Sequence, residues 1–329
     1  MTASAMRRFV VVGGAGFIGG HFVETLLARD GVEQVTVYDN FSSGRRWHLA
    51  AVEDDPRLII VVGEVGDLER LCETVAGHDT VIHLASNPDI AAAATNPAID
   101  FDQGTVLTQN VAEAARRGGV ELVLYASGSG VYGDLGEIEA QEDYGPMVPV
   151  STYGASKLAG EALLSSYAAM FGLSARCFRF GNVVGPRQTH GVGYDFVRRL
   201  IADPTRLRIL GDGRQSKSYV YVHDVITAVL TAATQVDQPF AVFNVATEDY
   251  VTVNVIAELA MQVLDLPHGS VMFEHTGGDR GWKGDVPVVR LNSERIRALG
   301  WKNERSCREA LRDSMAAMVG DARQGRFDA

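Results

Sequence analysis

The chain has 329 residues, which is enough for one large domain or for two closely joined domains with hydrophobic cores. Hydrophobic residues make up 46% of the chain and charged residues 22%, which argues against disorder, collagen-like repeats and coiled coils. The 30 Lys and Arg against 41 Asp and Glu give a net charge of −11, which opposes broad binding to nucleic acids and to anionic membranes. An anionic ligand would therefore need a local cluster of cations.

The cysteines and histidines show no pattern of a disulfide framework or a metal site. Cys72, Cys177 and Cys307 lie far apart without Cys-x-x-Cys spacing, which predicts free thiols in a reducing compartment. The histidines share no metal-ligand spacing, so no metal is expected. No stretch approaches the roughly 20 apolar residues of a membrane span. These patterns together predict a soluble, cytoplasmic protein.

Short apolar runs alternate with helical patterns through the first half of the chain. Continuous Val, Ile and Leu runs are typical of strands buried on both faces, and the helices between them would form the crossovers of a parallel sheet. We therefore predict an α/β fold with a Rossmann doubly wound parallel sheet. The predicted strands are Phe9–Val12, Gln34–Tyr38, Leu58–Val62, Thr80–Leu84, Leu122–Ala126 and Ala175–Phe180, and the predicted helices are Phe17–Arg29, Leu68–Val75, Ile99–Arg117 and Tyr153–Phe171.

After residue 180 the alternation becomes less regular. Residues 181–193 are rich in Gly, Pro and polar side chains, as ligand-facing loops often are. Helices are predicted at Tyr194–Ala202, Asp224–Thr234, Val253–Leu264 and Ser306–Met318. Because no linker divides the chain, we predict a smaller C-terminal substrate-binding lobe built on the first domain. The Rossmann domain is assigned to residues 1–180 with 218–250 rejoining its sheet, and the lobe to 181–217 and 251–329.

A glycine-rich turn, residues 13–19, follows the first predicted strand and opens the first helix. Gly13 permits a tight turn, Gly16 lets the backbone approach a pyrophosphate, and Gly19 lets the helix pack close to the strand. Asp39 ends the second strand 20 residues after Gly19, where its carboxylate would bind the adenosine ribose hydroxyls and repel a 2′-phosphate. This arrangement predicts NAD rather than NADP, although Asp39 alone would also suit a turn or a helix cap.

Other cofactor contacts are expected where neighbouring strands end. Glu64 follows the third strand, with Val65 beside it, and its carboxylate would accept a hydrogen bond from the adenine amino group. An exposed acid at a strand end is the alternative interpretation. The residues expected to bind NAD are Gly13, Gly16, Phe17, Ile18, Gly19, Asp39, Asn40, Glu64, Val65, Leu84, Ala85 and Lys157.

Tyr153 and Lys157 lie four residues apart near the start of a predicted helix, so their side chains share one face. A tyrosine has an ordinary pKa of about 10, and a neighbouring ammonium stabilises its phenolate. We expect Lys157 to lower the pKa of Tyr153 until the phenolate is a usable general base, and to donate to the nicotinamide ribose. The same spacing occurs on ordinary amphipathic helices, so its meaning depends on the nucleotide fold before it.

The motifs, taken in order, resemble the extended short-chain dehydrogenase/reductase family nearly from end to end. They are the glycine-rich turn, Asp39, His83-Leu84-Ala85, Val131-Tyr132-Gly133 and the Tyr153–Lys157 pair. Within that family the chain looks most like the NAD-dependent nucleotide-sugar epimerases, especially the archaeal type of UDP-glucose 4-epimerase. The longer segments 179–187, 190–196 and 210–222 carry this closer likeness.

The resemblance implies a 4-epimerase of a UDP-hexose. Tyr153 would take the proton of the sugar 4-hydroxyl while the C4 hydride moves to NAD, and the hydride would return to the other face of the 4-keto sugar. UDP-glucose with UDP-galactose, and UDP-glucuronate with UDP-galacturonate, are the candidate pairs. The family also implies a homodimer formed by the helices 99–117 and 153–171, with alanine stripes Ala112/Ala115 and Ala159/Ala162. The alternative is that these stripes pack within one chain.

Gly128 departs from the family pattern. Epimerases of this type carry a Ser or Thr there that hydrogen-bonds the reacting hydroxyl, so Ser127, Ser129 or a water is expected to replace it. The alternative is that both serines only satisfy the turn backbone. Sister dehydratases carry an Asp-Glu pair in place of Ser129-Gly130, and sister decarboxylases carry a Glu in place of Gly130. This chain lacks these carboxylates, so epimerisation is favoured. A dehydratase or ketoreductase and a non-catalytic NAD-binding scaffold remain alternatives.

The resemblance also supplies a substrate-binding set. Asn182 would contact the diphosphate or the sugar, Lys217 would bind phosphate, and Arg280, with Lys283 as its rival, would close over the nucleotide. Arg187 either caps its loop or faces the sugar C6, where its guanidinium would hold the carboxylate of a uronic acid. The substrate-binding residues are therefore Gly128, Asn182, Arg187, Lys217 and Arg280.

Overall fold

The computed structural model describes residues 6–327 of the chain. The described residues form one seven-stranded parallel sheet in the order β7-β6-β5-β4-β1-β2-β3. Its strands are β1 (Arg8–Val12), β2 (Gln34–Asp39), β3 (Leu58–Val62), β4 (Thr80–His83), β5 (Leu122–Gly128), β6 (Ser174–Phe180) and β7 (Phe240–Val245). The predicted doubly wound sheet is confirmed, and its last strand comes from the 218–250 segment.

Helices cover the sheet and build the second half of the molecule. They are α1 (Phe17–Leu27), α2 (Leu68–Val75), α3 (Leu107–Gly118), α4 (Thr152–Phe171), α5 (Val192–Ala202), α6 (Val222–Gln235), α7 (Val253–Val263), α8 (Glu294–Arg297) and α9 (Cys307–Arg323). Short strands pair outside the central sheet: Glu139–Ala140 with Arg290–Leu291, Asn182–Val184 with Tyr219–Tyr221, Arg206–Ile209 with Met272–His275, and Ser216–Lys217 with Val251–Thr252.

The strand order reverses beside β1. Val12, the last residue of β1, pairs with Tyr38 of β2 on one side and with His83 of β4 on the other. The connections from β1 to β2 and from β3 to β4 therefore leave in opposite directions, which opens a crevice at the carboxyl ends of these strands. This crevice is the standard ligand position of a doubly wound sheet.

A second apolar core lies outside the central sheet. It is formed mainly by α5, α7, α9 and the short strands near them, with Phe196, Ile256 and Met315 among its buried side chains. The predicted lobe residues 181–217 and 251–329 supply most of this core, together with Tyr219 and Tyr221. Residues 1–5 and 328–329, which end the two predicted regions, lie outside the described residues.

The helix predicted at Ile99–Arg117 is not regular throughout. Residues Phe101–Val106 form a wider π-helical turn, and the α-helix α3 begins only at Leu107. A Cβ on Gly104 would lie 2.6 Å from the Ser156 hydroxyl oxygen, so glycine lets this turn pack closely against α4. Hydrophobic periodicity alone does not reveal such a local widening.

The first predicted alanine stripe faces inward. Ala112 and Ala115 are buried in the core between α3 and the sheet, so they pack within one chain. Ala159 is half-buried and Ala162 is exposed. Among residues 6–327, no helix is long and apolar enough to cross a membrane.

Candidate active site

The glycine-rich turn lies in the crevice between β1 and α1. Gly13 has a φ of +82°, and a Cβ there would lie 2.8 Å from the backbone nitrogen of Ala85. A Cβ on Gly19 would collide with the carbonyl oxygen of Gly13, so only glycine allows this close packing. Gly16 is the N-cap of α1, whose first turn has neither a side-chain cap nor an acidic residue. The turn therefore presents backbone N–H groups to an anion.

Residues after β4 lie against this turn. The backbone N–H groups of Leu84 and Ala85 both donate to the carbonyl of Val12, at 2.9 and 3.1 Å. Phe17 is buried in the main core, and Ile18 is half-buried against the same core. The residues predicted around the pyrophosphate are thus held by the ends of β1 and β4.

Asp39 at the end of β2 fixes the shape of the same turn. Its Oδ2 accepts the N–H of Ala15 at 2.9 Å, and its Oδ1 accepts the N–H of Phe41 at 2.8 Å. Burial raises the pKa of Asp39, while these two backbone hydrogen bonds lower it. Each carboxylate oxygen keeps a second lone pair, so the group can both hold the turn and accept from a ribose hydroxyl.

The predicted adenine contacts also come together. Asn40 Nδ2 donates to Glu64 Oε2 at 3.0 Å, and the Tyr38 hydroxyl donates to the Glu64 carbonyl at 2.9 Å. Val65 is buried beside them. The carboxyl ends of β2 and β3 therefore form one wall of the crevice.

Tyr153 and Lys157 lie on the first turns of α4. Ser151 caps this helix by accepting the N–H of Gly154 at 3.1 Å, which fixes where the helix begins. Lys157 is buried, and its Nζ donates to the carbonyl of Ala126 in β5 at 2.8 Å. The same Nζ lies 5.4 Å from the ring centroid of Tyr153. The predicted pair is therefore on one face, next to the sheet.

The pKa of Tyr153 does not follow the expectation. Burial raises it, a hydrogen bond with Ser86 lowers it, and the Asp100 carboxylate raises it further. Burial lowers the pKa of Lys157 to about 8, so its ammonium is still protonated at neutral pH. The prediction that Lys157 brings the pKa of Tyr153 below its ordinary value is wrong here, because desolvation dominates and the ammonium is directed at Ala126.

Ser127 does not replace the hydroxyl missing at Gly128. Its Oγ donates to Glu161 Oε1 at 2.5 Å, inside a buried network. In that network Arg179 Nη2 donates to Glu161 Oε2 at 2.7 Å, and Arg179 Nη1 donates to the Tyr132 hydroxyl at 2.8 Å. The catalytic role predicted for Ser127 is therefore corrected to a structural one, since an acidic partner on α4 holds its hydroxyl.

Gly128 is the last residue of β5, and Ser129 follows it. The family resemblance placed a serine or threonine hydroxyl at position 128. Gly128 has an extended backbone, with φ −161° and ψ 163°, and a Cβ there would meet nothing within 4 Å. Ser129 is half-buried and begins the short helical turn that follows β5. Ser129 remains a candidate, while the space beside Gly128 is open.

Three polar residues that the sequence analysis did not select surround Tyr153. Ser86 directly follows the Leu84-Ala85 segment, and its hydroxyl lowers the pKa of Tyr153 against the effect of burial. Asn87 Nδ2 donates to the buried Asp100 at 2.9 Å, and Thr152 Oγ1 donates to the other carboxylate oxygen at 2.6 Å. Ser86 and Asn87 follow β4 beside the reversal of strand order, and Thr152 directly precedes Tyr153; these positions were the signals that could have identified them.

Lys217 and Arg280 both contact Asp285. Lys217 Nζ is 2.7 Å from Asp285 Oδ1, and Arg280 Nη1 donates to the Asp285 carbonyl at 2.6 Å. Arg280 Nη2 also pairs with Asp134 Oδ2 at 2.5 Å. Asn182 Nδ2 donates to the carbonyl of Ser218, the neighbour of Lys217, at 3.2 Å. The predicted phosphate-binding residues therefore converge, with acidic partners already in place. Arg280 and its rival Lys283 are both exposed, and Arg280 pairs with Asp134.

The chain is similar to known proteins over most of its length. A model described as the NAD dependent epimerase/dehydratase family matches residues 9–246. The chain belongs to this family. The chain is 28% identical over 310 residues to a putative UDP-glucose 4-epimerase of Methanocaldococcus jannaschii, covering 92% of this chain and 95% of the relative. The resemblance to the extended epimerases is thereby confirmed.

Solved structures of the family give the same result for the fold. The NAD complex of Thermus thermophilus UDP-glucose 4-epimerase has a TM-score of 0.84 and 31% identity, over 95% of this chain and 99% of that one. DesIV, a dTDP-glucose 4,6-dehydratase of Streptomyces venezuelae with NAD and TYD bound, has a TM-score of 0.88 and 26% identity, over 96% and 98%. UDP-glucuronic acid decarboxylases also match.

The prediction of NAD as the cofactor is confirmed, because the family is NAD-dependent and solved structures of relatives contain NAD. The residues present fit it, because side chains at Gly13 and Gly19 would fill the cradle and Asp39 lies at the end of β2. Among the described residues, no three His, Cys, Asp or Glu side chains are grouped as a metal site.

The Arg187 side chain is directed at α1 and not at Tyr153 and Lys157. Its guanidinium donates to both carboxylate oxygens of Glu24 on α1, at 2.5 and 2.8 Å, and to the His48 carbonyl at 2.7 Å. It also donates to Nδ1 of His21 at 2.7 Å, which leaves Nε2 of that ring to donate to the carbonyl of Pro186. The predicted contact of Arg187 with substrate is therefore corrected to a contact that ties its loop to α1.

The buried histidines around Arg187 predict acid sensitivity. Burial lowers the pKa of His21 to about 3 and that of His48 to about 4. In the unfolded chain both would take up a proton near pH 6.5, so between these values the unfolded state binds more protons. The free energy of unfolding should therefore be intact above about pH 6.5 and fall below it, by about 1.4 kcal/mol per pH unit for each ring.

Urea unfolding of the NAD-loaded protein across this pH range measures the effect. His21→Gln should make the decline less steep, whereas His268→Gln, at an exposed position, should leave it unchanged. Equal slopes for the wild type and His21→Gln would contradict the assignment.

Proposed function

We propose that the protein is an NAD-dependent 4-epimerase of a UDP-hexose that acts through a 4-keto sugar. The observation that carries this proposal is the Tyr153–Lys157 pair beside a Gly128-Ser129-Gly130 segment that has no carboxylate. Removal of water from the sugar would require an additional acid and base near C5 and C6. The nearby carboxylates are already engaged: Glu161 with Arg179, and Asp100 with Asn87 and Thr152.

Tyr153 is the proton acceptor for the sugar 4-hydroxyl in this proposal and returns the proton after the sugar has turned over. Lys157 Nζ is anchored by the Ala126 carbonyl and lies 5.4 Å from the centroid of the Tyr153 ring, so a positive charge faces the phenol during proton transfer, although burial holds the resting pKa of Tyr153 above its ordinary value. NAD, when bound, supplies the hydride acceptor and donor for C4. Asp39 and the glycine-rich turn hold the adenosine ribose and the pyrophosphate.

The diphosphate of the substrate is assigned to Lys217 and Arg280, with Asn182 beside them. Lys217 pairs with Asp285 and Arg280 with Asp134, which supports a preformed site. The Lys217 Nζ also lies 5.3 Å from the ring centroid of Trp282. A bound diphosphate would take over hydrogen bonds that Asp285 and Asp134 now accept.

A neutral hexose is favoured over a uronate. Arg187 was the candidate for holding the carboxylate at C6, and its guanidinium is occupied by Glu24. UDP-glucose and UDP-galactose are therefore the preferred pair, and UDP-glucuronate is the alternative to be tested. A dehydratase is the second candidate reaction, because DesIV superposes on the chain with a TM-score of 0.88.

The test incubates the NAD-loaded protein separately with UDP-glucose, UDP-galactose, UDP-glucuronate, UDP-N-acetylglucosamine and dTDP-glucose. Mass spectrometry and proton NMR then identify the products. A product of unchanged mass with inverted configuration at C4 supports the proposal. Loss of water would replace it with a dehydratase, and loss of CO2 with a decarboxylase.

We also propose a cytoplasmic homodimer formed through α3 and α4. Exposed apolar side chains near the ends of these helices support an intermolecular contact: Phe101, Val106, Met170 and Phe171. The three free cysteines fit a reducing compartment.

Light scattering of the NAD-loaded protein should give twice the chain mass, and Phe101→Asp should reduce the measured mass. A monomeric wild type would contradict the pairing.

A further inference from the structure

Residues 41–49, the loop that follows Asp39, fold back onto the glycine-rich turn. A Cβ on Gly44 would lie 2.9 Å from Asp39 Oδ1 and 2.9 Å from the Cβ of Ala15. The backbone N–H of Arg45 donates to the Ala15 carbonyl at 2.9 Å, which ties the loop to the turn. Because Asp39 is the residue assigned to the adenosine ribose, loop 41–49 forms a wall of the cofactor cradle at its adenosine end.

Arg187 reaches this loop from the segment after the short strand Asn182–Val184. Its Nη1 donates to the His48 carbonyl at 2.7 Å, and the His48 ring donates from Nδ1 to the Ala15 carbonyl, also at 2.7 Å. Both carboxylate oxygens of Glu24 accept from the same guanidinium and fix it against α1. A continuous series of contacts therefore joins Arg187 to the glycine-rich turn.

The C-terminal lobe holds the segment that carries Arg187. The N–H of Gly185 donates to Ser314 Oγ of α9 at 3.0 Å, and the same Oγ lies 3.1 Å from Gln188 Oε1. Gly185 and Gln188 stand on either side of Arg187 in the sequence, so the backbone is fixed to the lobe at this point. Arg187 thus connects the lobe with the adenosine end of the cradle.

Arg187 also has a backbone conformation that arginine seldom adopts. Its φ is +65°, in the left-handed region that favours glycine, and Phe41 at the start of loop 41–49 has a φ of +59°. Among residues 6–327 these are two of the three non-glycine residues with positive φ. Such conformations persist where surrounding contacts hold them, and they cluster at ligand sites. Both ends of the connection therefore depend on the surrounding hydrogen bonds for their shape.

We propose that Arg187 is a positioning residue for NAD, which slows release of the cofactor by holding loop 41–49 closed against the glycine-rich turn. The guanidinium acts on the cradle through His48 and Ala15. This role replaces the substrate contact that the sequence analysis expected for Arg187. It concerns NAD alone, so it does not depend on the sugar or the reaction proposed above.

The first measurement is the rate at which NAD leaves the loaded protein. The wild type and each variant are loaded with radiolabelled NAD, unlabelled NAD is added in excess, and the label that remains bound is followed by rapid gel filtration. Arg187→Gly removes the guanidinium, while glycine adopts the positive φ without strain. Arg187→Lys keeps the charge but not the paired hydrogen bonds with Glu24.

The second measurement reports opening of loop 41–49 itself. Trypsin cleaves after arginine, and Arg45 and Arg46 both lie in this loop. The NAD-loaded proteins are treated with trypsin, and mass spectrometry follows the fragments that end at these two residues. A cooperative unfolding transition shows that each variant is folded.

Arg57→Gln is the matched control. Arg57 also ties a loop to α1, because it pairs with Asp55 and donates to the carbonyl of Leu27, the last residue of that helix. These contacts lie at the end of α1 that is remote from the glycine-rich turn. They should not affect loop 41–49.

We expect Arg187→Gly to release NAD about 10- to 100-fold faster than the wild type, because hydrogen bonds of a charged group are lost. Cleavage after Arg45 and Arg46 should accelerate in the same variant, and Arg187→Lys should give intermediate values. Arg57→Gln should stay within about twofold of the wild type in both measurements.

Three results would overturn the proposal. The first is release of NAD from Arg187→Gly at the rate of the wild type. The second is faster release without faster cleavage in loop 41–49, which would mean that Arg187 acts elsewhere. The third is an equal acceleration in Arg57→Gln, which would indicate a general loosening of α1. None of these measurements uses a sugar nucleotide, so failure of the epimerase assignment leaves their outcome unchanged.

Discussion

Replacing Tyr153 with phenylalanine is expected to lower kcat of the epimerisation by about 10²- to 10⁴-fold, the usual contribution of a general acid and base. The ring and its packing beside Lys157 are kept, while the proton acceptor is lost. NAD content of the purified protein should not change, because the glycine-rich turn and Asp39 lie on β1, α1 and β2. Initial rates with the sugar nucleotide, together with the cofactor content, measure both effects.

Tyr167→Phe is the matched control for this substitution. Tyr167 lies on the same helix α4, and its hydroxyl interacts with Gln109 and Glu113 at the far side from the crevice. Turnover of this variant should stay within about twofold of the wild type, because the buried ring of Tyr167 is kept and the hydroxyl that is lost contacts α3 rather than the Tyr153–Lys157 pair. Similar losses in both variants would mean that Tyr153 acts through the packing of α4 rather than as the proton acceptor.

Replacing Glu161 with glutamine is expected to lower the free energy of unfolding by about 3–5 kcal/mol. Arg179 and Glu161 are both buried, and their side chains are joined by bonds of 2.7, 3.0 and 3.2 Å. Without the carboxylate, the Arg179 guanidinium would keep its charge inside the protein with only neutral partners, namely the glutamine amide oxygen, the Tyr132 hydroxyl and a backbone carbonyl. The loss comes mainly from this uncompensated charge.

Urea unfolding of the NAD-loaded protein tests this effect against Glu113→Gln. Glu113 pairs with Arg116 and Arg117 near the surface, where an ion pair contributes about 1 kcal/mol or less. A loss for Glu161→Gln no greater than that for Glu113→Gln would contradict the role of the buried pair.

The sheet and the cofactor cradle were predictable because their signals are local. The three consecutive valines of β1 and the glycines at 13, 16 and 19 specify their structure within a few residues. The Tyr153–Lys157 pair was predictable for the same reason, since four residues of helix place both side chains on one face.

The roles of Ser127 and Arg187 depend on partners far away along the chain. Glu161 on α4 holds Ser127, and Glu24 on α1 holds Arg187 across 163 positions of sequence. Spacing within a motif contains no information about such contacts. The direction of the Tyr153 pKa was missed for a related reason, because burial arises from the whole fold and outweighs the single charge that the helix brings near.

The two phosphate sites differ in what must be displaced before a ligand can enter. The cradle of α1 offers backbone groups without an acidic competitor in its first turn, whereas Asp285 and Asp134 already occupy Lys217 and Arg280. If the proposed substrate site is right, an incoming sugar nucleotide must displace these carboxylates from Lys217 and Arg280, and the ion pairs re-form when it leaves. The same chain is thus suited to retain one diphosphate through many catalytic cycles and to let the other go after each.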